Sequence, residues 1–447
     1  MTAPLDLTND PVPRLVRAIA VPAAVGFFFQ TMYNVVDTYF AGQLSTDALA
    51  SMSIAFPVFF LVIALASGTG TGTTAVIANA LGAKDRASAE IYCGQVITFG
   101  LVLSALLTVV GIWAAPFLFE VLGADGSYLS LATTYMRIIF LGGAFFVFAS
   151  VLNAPLNAVG DTTSFRNTLI AGFFLNMLLN PWFIYGGLGL PAMGFRGVAV
   201  ATVLIELLIC LYLARKVSHT GLMGRHSVGY LRPRAACMRE LMANVFPATF
   251  NMLTIGIGIF IITWFISRYG KDAVAAFGVA TRMEQIMLLP TIGLNTAALA
   301  LAGQNFGAKR LDRVRKSVFT CMLFGAYLLV PAGVVLFFAA PALMAAFTDE
   351  PEVIRIGVQY LRIAAGALFP YVILFTSVST LQGMKRPMFA VWMGLWRQLV
   401  APFIFFPLLG QFFGLGLLGI WWGVFGIVWS AALFTLWFAH RTIRHTV

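Results

Sequence analysis

Charged residues are scarce in this chain. Asp, Glu, Lys and Arg together make up 10% of its 447 residues, whereas soluble domains carry about 25%. So few charges cannot cover a surface that faces water, and 60% of the residues are hydrophobic, with a mean hydropathy of +0.90. The scarcity excludes a water-soluble enzyme or binding domain, and it indicates that lipid is the solvent for most of the chain.

Signatures of several other protein classes are also missing. The polar N-terminus has no basic region before a short apolar core, so a cleaved signal peptide is not expected. The Gly-rich segment 67–74 lacks the Gly-Lys-Ser/Thr ending of a phosphate-binding loop, and we expect it to serve close helix packing instead. The four histidines show no metal-ligand spacing. We therefore expect no cofactor, no use of ATP and no enzymatic activity.

Long apolar runs are abundant. Each is about 20 residues or more, the length needed to cross a bilayer as a helix. The second and eighth runs are longer than a straight crossing requires, so we expect those helices to tilt, bend or extend beyond the bilayer. The twelve runs predict an all-α integral membrane protein with spans near 16–41, 50–80, 91–115, 129–154, 167–188, 195–214, 241–266, 274–304, 317–340, 355–381, 389–410 and 415–439.

The Lys and Arg residues predict the orientation of these spans. With the N-terminus inside, 20 of the 28 basic residues fall in cytoplasmic segments and 4 in outer loops, as the positive-inside rule requires. Both termini are then cytoplasmic, and we expect a multi-pass protein of the inner (cytoplasmic) membrane. The net charge of +11 lies in short clusters and not on one face, which argues against nucleic-acid binding. The four cysteines lie near cytoplasmic helix ends, so disulfides are not expected.

The second half of the sequence repeats the first. Matching residues are separated by a constant number of positions, the same number that separates Pro22 from Pro247. Matches extend without a gap from Pro22 to Arg137, and they include Gly82-Ala83-Lys84 against Gly307-Ala308-Lys309 and Tyr135/Arg137 against Tyr360/Arg362. A repeat of six spans enters the membrane twice from the same side. We predict an N-terminal six-helix lobe at 1–214, a basic cytoplasmic linker at 215–240 and a C-terminal six-helix lobe at 241–447. Two such lobes are typical of a transporter.

The first span carries a polar stripe. Gln30, Asn34 and Asp37 are spaced at i, i+4 and i+7, which places them on one helix face, and we group Tyr33 with them as a cavity residue. A charged Asp in a membrane costs about 2.5–3.5 kcal/mol, so it indicates a site for a proton or an ion. The alternative is that Asp37 reaches the outer headgroups. The repeat has Ile262 at the matching position, and Pro22 is a candidate hinge in the same helix.

Further polar residues occur in four other spans. Asn176 and Asn180, and likewise Thr202 and Glu206, are spaced at i, i+4; they could supply oxygen ligands or a proton relay, or only helix-packing hydrogen bonds. Arg282 and Glu284 are two residues apart and cannot face each other. Together with Arg397, they are candidates either for an interhelix salt bridge or for substrate contact.

Five motifs are informative when taken together: the run Met32-Tyr-Asn-Val-Val-Asp-Thr-Tyr-Phe-Ala-Gly42, the paired Gly-Ala-Lys loops at 82–84 and 307–309, Val159-Gly-Asp-Thr162, Leu179-Asn-Pro181 and Gly194-Phe-Arg-Gly-Val-Ala-Val-Ala-Thr202. They cover essentially the whole chain, and their combination resembles the multidrug and toxic compound extrusion (MATE) family. The Asp of the first span and Arg-Met-Glu at 282–284 are more similar to the DinF-like or archaeal-type branch of that family than to the NorM branch.

The resemblance implies a two-lobed antiporter that exports amphipathic, often cationic, compounds in exchange for protons or Na⁺. It maps the coupling site onto Asp37, with Asn176 and Asn180 beside it. Asn180 departs from the pattern, because many relatives have Asp there, and Glu206 stands where they often have Gln. We therefore expect H⁺ as the coupling ion, because a lone carboxylate in apolar surroundings disfavours its charged form. Na⁺ is expected to compete weakly at Asp37, with no other metal site.

The expected partners are drug-like small molecules and the lipid bilayer, with no nucleic acid and no obligate protein partner, so that the protein is a monomer. The alternative is a flippase of the related lipid-linked oligosaccharide exporters, which typically have more than twelve spans and a basic cavity. A major-facilitator transporter would share the 6+6 arrangement but not the motifs above. A membrane scaffold or receptor would not need Asp37 in a polar stripe.

Overall fold

The computed structural model describes residues 5–121, 126–187, 189–223 and 229–445. Residue 188 of the predicted fifth run and residues 224–228 of the predicted linker lie outside these ranges. The described chain is helical, apart from its turns, short connections and an isolated bridge between Gly187 and Leu190. This confirms the predicted all-α class.

The α-helices follow the apolar runs, because a backbone in hydrocarbon must satisfy its own hydrogen bonds. Two short π-helical segments, Trp396–Val400 and Leu408–Phe412, interrupt the region between α13 and α15. The helices are α1 Val12–Leu44, α2 Thr46–Gly82, α3 Arg86–Val121, α4 Gly126–Leu141, α5 Gly143–Ala158, α6 Thr163–Tyr185, α7 Phe195–His219, α8 Ala235–Ser267, α9 Lys271–Gly307, α10 Leu311–Ala345, α11 Pro351–Ala365, α12 Leu368–Gly383, α13 Met388–Leu395, α14 Ala401–Pro407 and α15 Gly416–His445.

The helices account for twelve membrane spans. Ten continuous helical stretches of the described chain are long and apolar enough to cross a bilayer. Two further spans are bent pairs, with an angle of 45° between α4 and α5 and of 52° between α11 and α12. The predicted number of spans is therefore confirmed, and the fourth and tenth are broken where the sequence predicted one continuous helix each.

The duplication extends to the ends of the helices. Helices α2 and α9 each have 37 residues and start and end at matching positions of the repeat, and the same holds for α5 and α12 with 16 residues each. Lys84 and Lys309 both adopt a left-handed conformation, with φ of 60° and 57°. The amides that follow them, those of Asp85 and Arg310, donate back into the helix to the carbonyls of Ala80 and Asn305 at 2.9 and 2.8 Å. This hydrogen bond closes a Schellman-type helix end.

The chain forms two compact units, here called the Asp37 unit (Val25–Thr249) and the Glu284 unit (Met1–Ala24 with Phe250–Val447). The predicted boundaries put all of α1 in the first lobe and α8 from residue 241 onward in the second. The compact units instead divide both helices, α1 after Ala24 and α8 after Thr249. The divisions lie two residues after Pro22 and two after Pro247. A proline removes one backbone hydrogen bond from a helix, so these are weak points of α1 and α8. The hinge role of Pro22 stays a prediction.

The Gly-rich segment of α2 packs closely within the Asp37 unit. A Cβ atom on Gly68 would lie 2.1 Å from the Thr249 Oγ1, and one on Gly72 would lie 2.6 Å from the Val245 Cα. Small residues let two helices approach this closely. The interpretation of residues 67–74 as a packing surface agrees with these distances.

Candidate functional site

Asp37 lies at the centre of a buried hydrogen-bond network in the Asp37 unit. Its side chain is 5% exposed. The Asn176 and Asn180 amides donate to the Asp37 Oδ1 at 2.7 and 2.8 Å, and the Asn180 amide also donates to the Asn176 Oδ1 at 3.2 Å. A carboxylate held in this way is not reaching for the outer headgroups, so the geometry favours the buried polar site over that alternative.

Helix periodicity explains how these side chains meet. Asn176 and Asn180 are one turn apart on α6 and share a face, and both are fully buried. Thr202 on α7 contributes a weaker contact, because its Oγ1 lies 3.4 Å from the Asp37 Oδ2 but 3.0 Å from the Val198 carbonyl. A hydroxyl has one hydrogen to donate, and the shorter distance favours Val198.

The network opens onto a cavity of about 130 Å³, large enough for several water molecules. The predicted stripe lines it, since Gln30, Tyr33, Asn34 and Asp37 are all wall residues. Glu206 adds a second carboxylate, one turn along α7 from Thr202. The remaining wall is largely apolar and aromatic, with Phe56, Phe59, Tyr135 and Phe146 among its residues.

Two oxygen atoms near Asp37 have unused hydrogen-bonding capacity. The Asn180 Oδ1 is buried without a hydrogen-bond partner among the described residues. The Tyr33 hydroxyl is buried close to the Asn176 and Thr202 side chains, but without a well-aligned hydrogen bond to either. Buried polar atoms of this kind are uncommon and call for a partner such as water or an ion. The site therefore combines a carboxylate, amide and hydroxyl oxygens, which is chemistry suited to a proton or a hard cation.

A second buried acid lies in the Glu284 unit. Glu284 on α9 is 6% exposed and accepts a hydrogen bond from the Tyr360 hydroxyl of α11 at 2.5 Å. It also interacts electrostatically with Arg397. The Arg397 guanidinium lies over the rings of Tyr371 and Phe375, at 5.8 and 5.2 Å from their centroids. Arg397 belongs to the first π-helical segment, Trp396–Val400.

Arg282 does not join this cluster. Its side chain is exposed, while Glu284, two residues further along α9, is buried. The structure thus places Arg397 within electrostatic range of Glu284 but outside salt-bridge distance, and it leaves Arg282 apart, as the i, i+2 spacing requires. Sequence reasoning did not assign a role to Tyr360, although the repeat of Tyr135 as Tyr360 could have drawn attention to it.

The described residues contain no group of three or more His, Cys, Asp and Glu side chains that could hold a metal ion. The oxygens around Asp37 come mostly from amides and hydroxyls, which such a group would not include. A site for Na⁺ at Asp37 is therefore compatible with the residues present.

Comparisons with known proteins agree with the motifs. The sequence profile of the MatE family matches residues 22–182 and 247–407. A FAD transporter of Shewanella oneidensis is 27% identical over 399 residues, with 88% of this chain and 86% of that protein covered. The probable multidrug resistance protein YoeA of Bacillus subtilis is 26% identical over 425 residues, covering 92% and 89%. The solved structure of a MOP superfamily transporter from Pyrococcus furiosus has a TM-score of 0.91 at 24% identity, covering 99% and 98%.

Proposed function

Since this chain belongs to the MatE family of membrane transporters, we propose that it is a secondary active exporter that exchanges protons for amphipathic organic cations. One observation carries the proposal: Asp37 is buried, bound by neutral donors, and placed on the wall of a cavity. An acid in such a place can alternate between a protonated and a charged state, and the cavity gives both a proton and a substrate access to it.

The orientation of the two amides favours a proton over Na⁺. Asn176 and Asn180 both direct N–H groups at Asp37. Na⁺ requires oxygen ligands. The Asn180 Oδ1 is available, but the Asn176 Oδ1 accepts from the Asn180 amide, so coordination by both side chains would require this hydrogen bond to break. A proton needs no such rearrangement, because it binds to the carboxylate itself.

The chemistry of the cavity favours a cationic substrate with an apolar body. Two carboxylates, Asp37 and Glu206, face it together with several aromatic rings, and aromatic faces attract cations. The name of the Shewanella relative indicates an anionic substrate for that protein, and a flippase of lipid-linked oligosaccharides would likewise have to accommodate a pyrophosphate. Neither anion suits a wall that carries two acids.

The test is efflux of a cationic dye from liposomes that contain the purified protein. We expect a pH gradient to drive efflux without Na⁺, and an inward Na⁺ gradient at matched pH to drive it weakly. Empty liposomes and a protonophore are the controls. Efflux that requires Na⁺ and ignores the pH gradient would contradict proton coupling, and Glu206→Gln would then be the first variant to test.

We further propose that the protein is a monomer in the cytoplasmic membrane, with both termini inside. The charge bias of the loops supports this orientation. Introduced cysteines at Gln43 and Gly414 should react with an impermeant maleimide from outside, and those at Ser88 and His445 only after permeabilisation. Reaction of Ser88→Cys from outside would overturn the orientation.

A further inference from the structure

An apolar groove of about 130 Å³ lies beside the cavity, on the surfaces of α6 and α7. Ala171 and Leu175 of α6 and Leu208 of α7 line it. Ala171 is exposed and Leu208 is 41% exposed at the surface of two spans, and exposed apolar side chains on a span suit contact with lipid. The groove therefore has the composition of a bilayer-facing surface.

The groove and the cavity share Gly172 and Ile209 as wall residues. Gly172 lies one turn before Asn176 on α6, and Ile209 lies about one turn after Glu206 on α7. A Cβ atom on Gly172 would lie 3.3 Å from the Ile205 Cγ2 and 3.8 Å from the Ile209 Cδ1. The boundary between the groove and the polar site is therefore thin, because Gly172 adds no side chain to the contact that α6 makes there with Ile205 and Ile209.

The opposite end of the groove has the character of a membrane interface. Asn167, Thr168 and Tyr212 line it there. The Arg166 guanidinium donates to the Asn167 Oδ1 at 2.8 Å, and the Lys216 ammonium lies 5.4 Å from the Tyr212 ring centroid. Tyr, Lys and Arg are typical of the headgroup region. Helix α6 begins and α7 ends on this side, which the charge bias assigns to the cytoplasm.

We propose that this groove is a lateral entrance, through which an amphipathic organic cation dissolved in the cytoplasmic leaflet reaches the cavity between α6 and α7. The inference rests on the proposed export function and specifies its substrate class and entry route. The apolar body of the compound lies along Ala171, Leu175 and Leu208, and its cationic group meets Glu206 and Asp37 beyond Gly172. The carboxylates at the inner end favour a cation over a phospholipid, whose phosphate they repel.

The first test compares two tryptophan variants on α7 in the efflux assay. Ile209→Trp should block passage across the boundary, whereas Leu211→Trp adds an equally bulky side chain at a residue that is 60% exposed and lines neither space. For a cationic dye that partitions into the bilayer, we expect Ile209→Trp to slow efflux about tenfold, which corresponds to about 1.4 kcal/mol in the barrier. A hydrophilic cationic dye should be slowed much less, and Leu211→Trp should match the parent protein with both. Equal slowing of the two dyes by Ile209→Trp would overturn the proposal.

The second test needs no transport, so its failure is distinguishable from failure of the proposed function. In a protein whose four native cysteines are replaced by alanine, Leu208→Cys and Leu211→Cys are labelled with a membrane-soluble maleimide. We expect tetraphenylphosphonium to slow labelling of Leu208→Cys several-fold and to leave Leu211→Cys unchanged. If tetraphenylphosphonium slowed the labelling of both variants equally, or slowed neither, the proposal would be overturned. Protection of Leu208→Cys by added phosphatidylglycerol, and not by the cation, would overturn it as well.

Discussion

The Asp37 unit and the Glu284 unit bury acidic side chains to the same degree, 5% and 6% exposed, but surround them differently. Asp37 accepts hydrogen bonds from two neutral amides and faces a cavity. Glu284 accepts one from Tyr360 and has Arg397 within electrostatic range. A cation within electrostatic range of a buried acid partly offsets its charge, whereas neutral donors bring no opposite charge, so that a bound proton or ion can supply it. Our proposal that Asp37 couples transport, and that Glu284 is structural, rests on this difference.

The two acids do not occupy equivalent positions in the repeat. At the offset that matches Pro22 with Pro247, Asp37 corresponds to Ile262, and Glu284 corresponds to Phe59. Phe59 lines the cavity of the Asp37 unit, and Ile262 packs against the core of the Glu284 unit. The duplicated halves match in the ends of α2 and α9 and of α5 and α12, but they carry their buried acids at positions that are not equivalent. Each unit can therefore be tested with the other as its reference.

The largest effect is expected from Asp37→Asn. The amide keeps the shape of the carboxyl group but does not gain or lose a proton in the working pH range. The rate of pH-driven efflux should therefore fall at least about a hundredfold, which corresponds to an increase of about 2.7 kcal/mol in the activation free energy. The thermal unfolding midpoint in detergent should stay close to that of the parent protein, which shows that the fold is intact. Efflux at the parental rate would show that Asp37 has no role in coupling.

Ile262→Asp tests the reciprocal position. The new acid stands in α8 at the place that matches Asp37, against the apolar core of its unit. We expect the free energy of unfolding to fall by about 2.5–3.5 kcal/mol, which is the cost of a charged side chain within a membrane. We expect no gain in coupled efflux. Folded yield and thermal unfolding measure the loss, and Ile262→Asn, which adds no charge, should be less destabilised. Stability equal to that of the parent protein would mean that α8 provides polar partners there.

Tyr360→Phe removes the donor to Glu284 and keeps the aromatic ring. Loss of a hydrogen bond to a buried acid should lower the free energy of unfolding by about 1–3 kcal/mol. Tyr135→Phe is the matched control, because Tyr135 is the equivalent residue of the Asp37 unit and stacks on Phe195 at 5.2 Å between centroids. A larger loss for Tyr135→Phe than for Tyr360→Phe would contradict the importance of the hydrogen bond to Glu284.

The smallest effect is expected from Glu284→Gln. The glutamine carbonyl oxygen can still accept from Tyr360, and Arg397 keeps its contacts with Tyr371 and Phe375. The efflux rate should stay within about threefold of that of the parent protein, which corresponds to a change of about 0.7 kcal/mol in the activation free energy. A loss as large as that of Asp37→Asn would assign coupling to both acids, and it would remove the contrast between the two units.

The spans and one polar face could be predicted well from the sequence, for a local reason. An apolar run in lipid must form a helix, and residues at i, i+4 and i+7 must share a face of that helix. The placement of Gln30, Asn34 and Asp37 on one cavity wall follows from this spacing. The breaks between α4 and α5 and between α11 and α12 were not predicted, because the apolar runs continue through them.

Composition, length and periodicity within single segments were enough to predict the all-α class, the twelve spans, the duplication and the faces that individual helices present. Which of these faces meet became known from the packed helices alone. Packing placed Asn176 and Asn180 on Asp37 across 139 and 143 residues of sequence, joined Tyr360 to Glu284 across 76, and left Arg282 exposed. The pairing of faces on different helices depends on how side chains of all the neighbouring helices fit together, and the periodicity of a single helix carries no record of that fit.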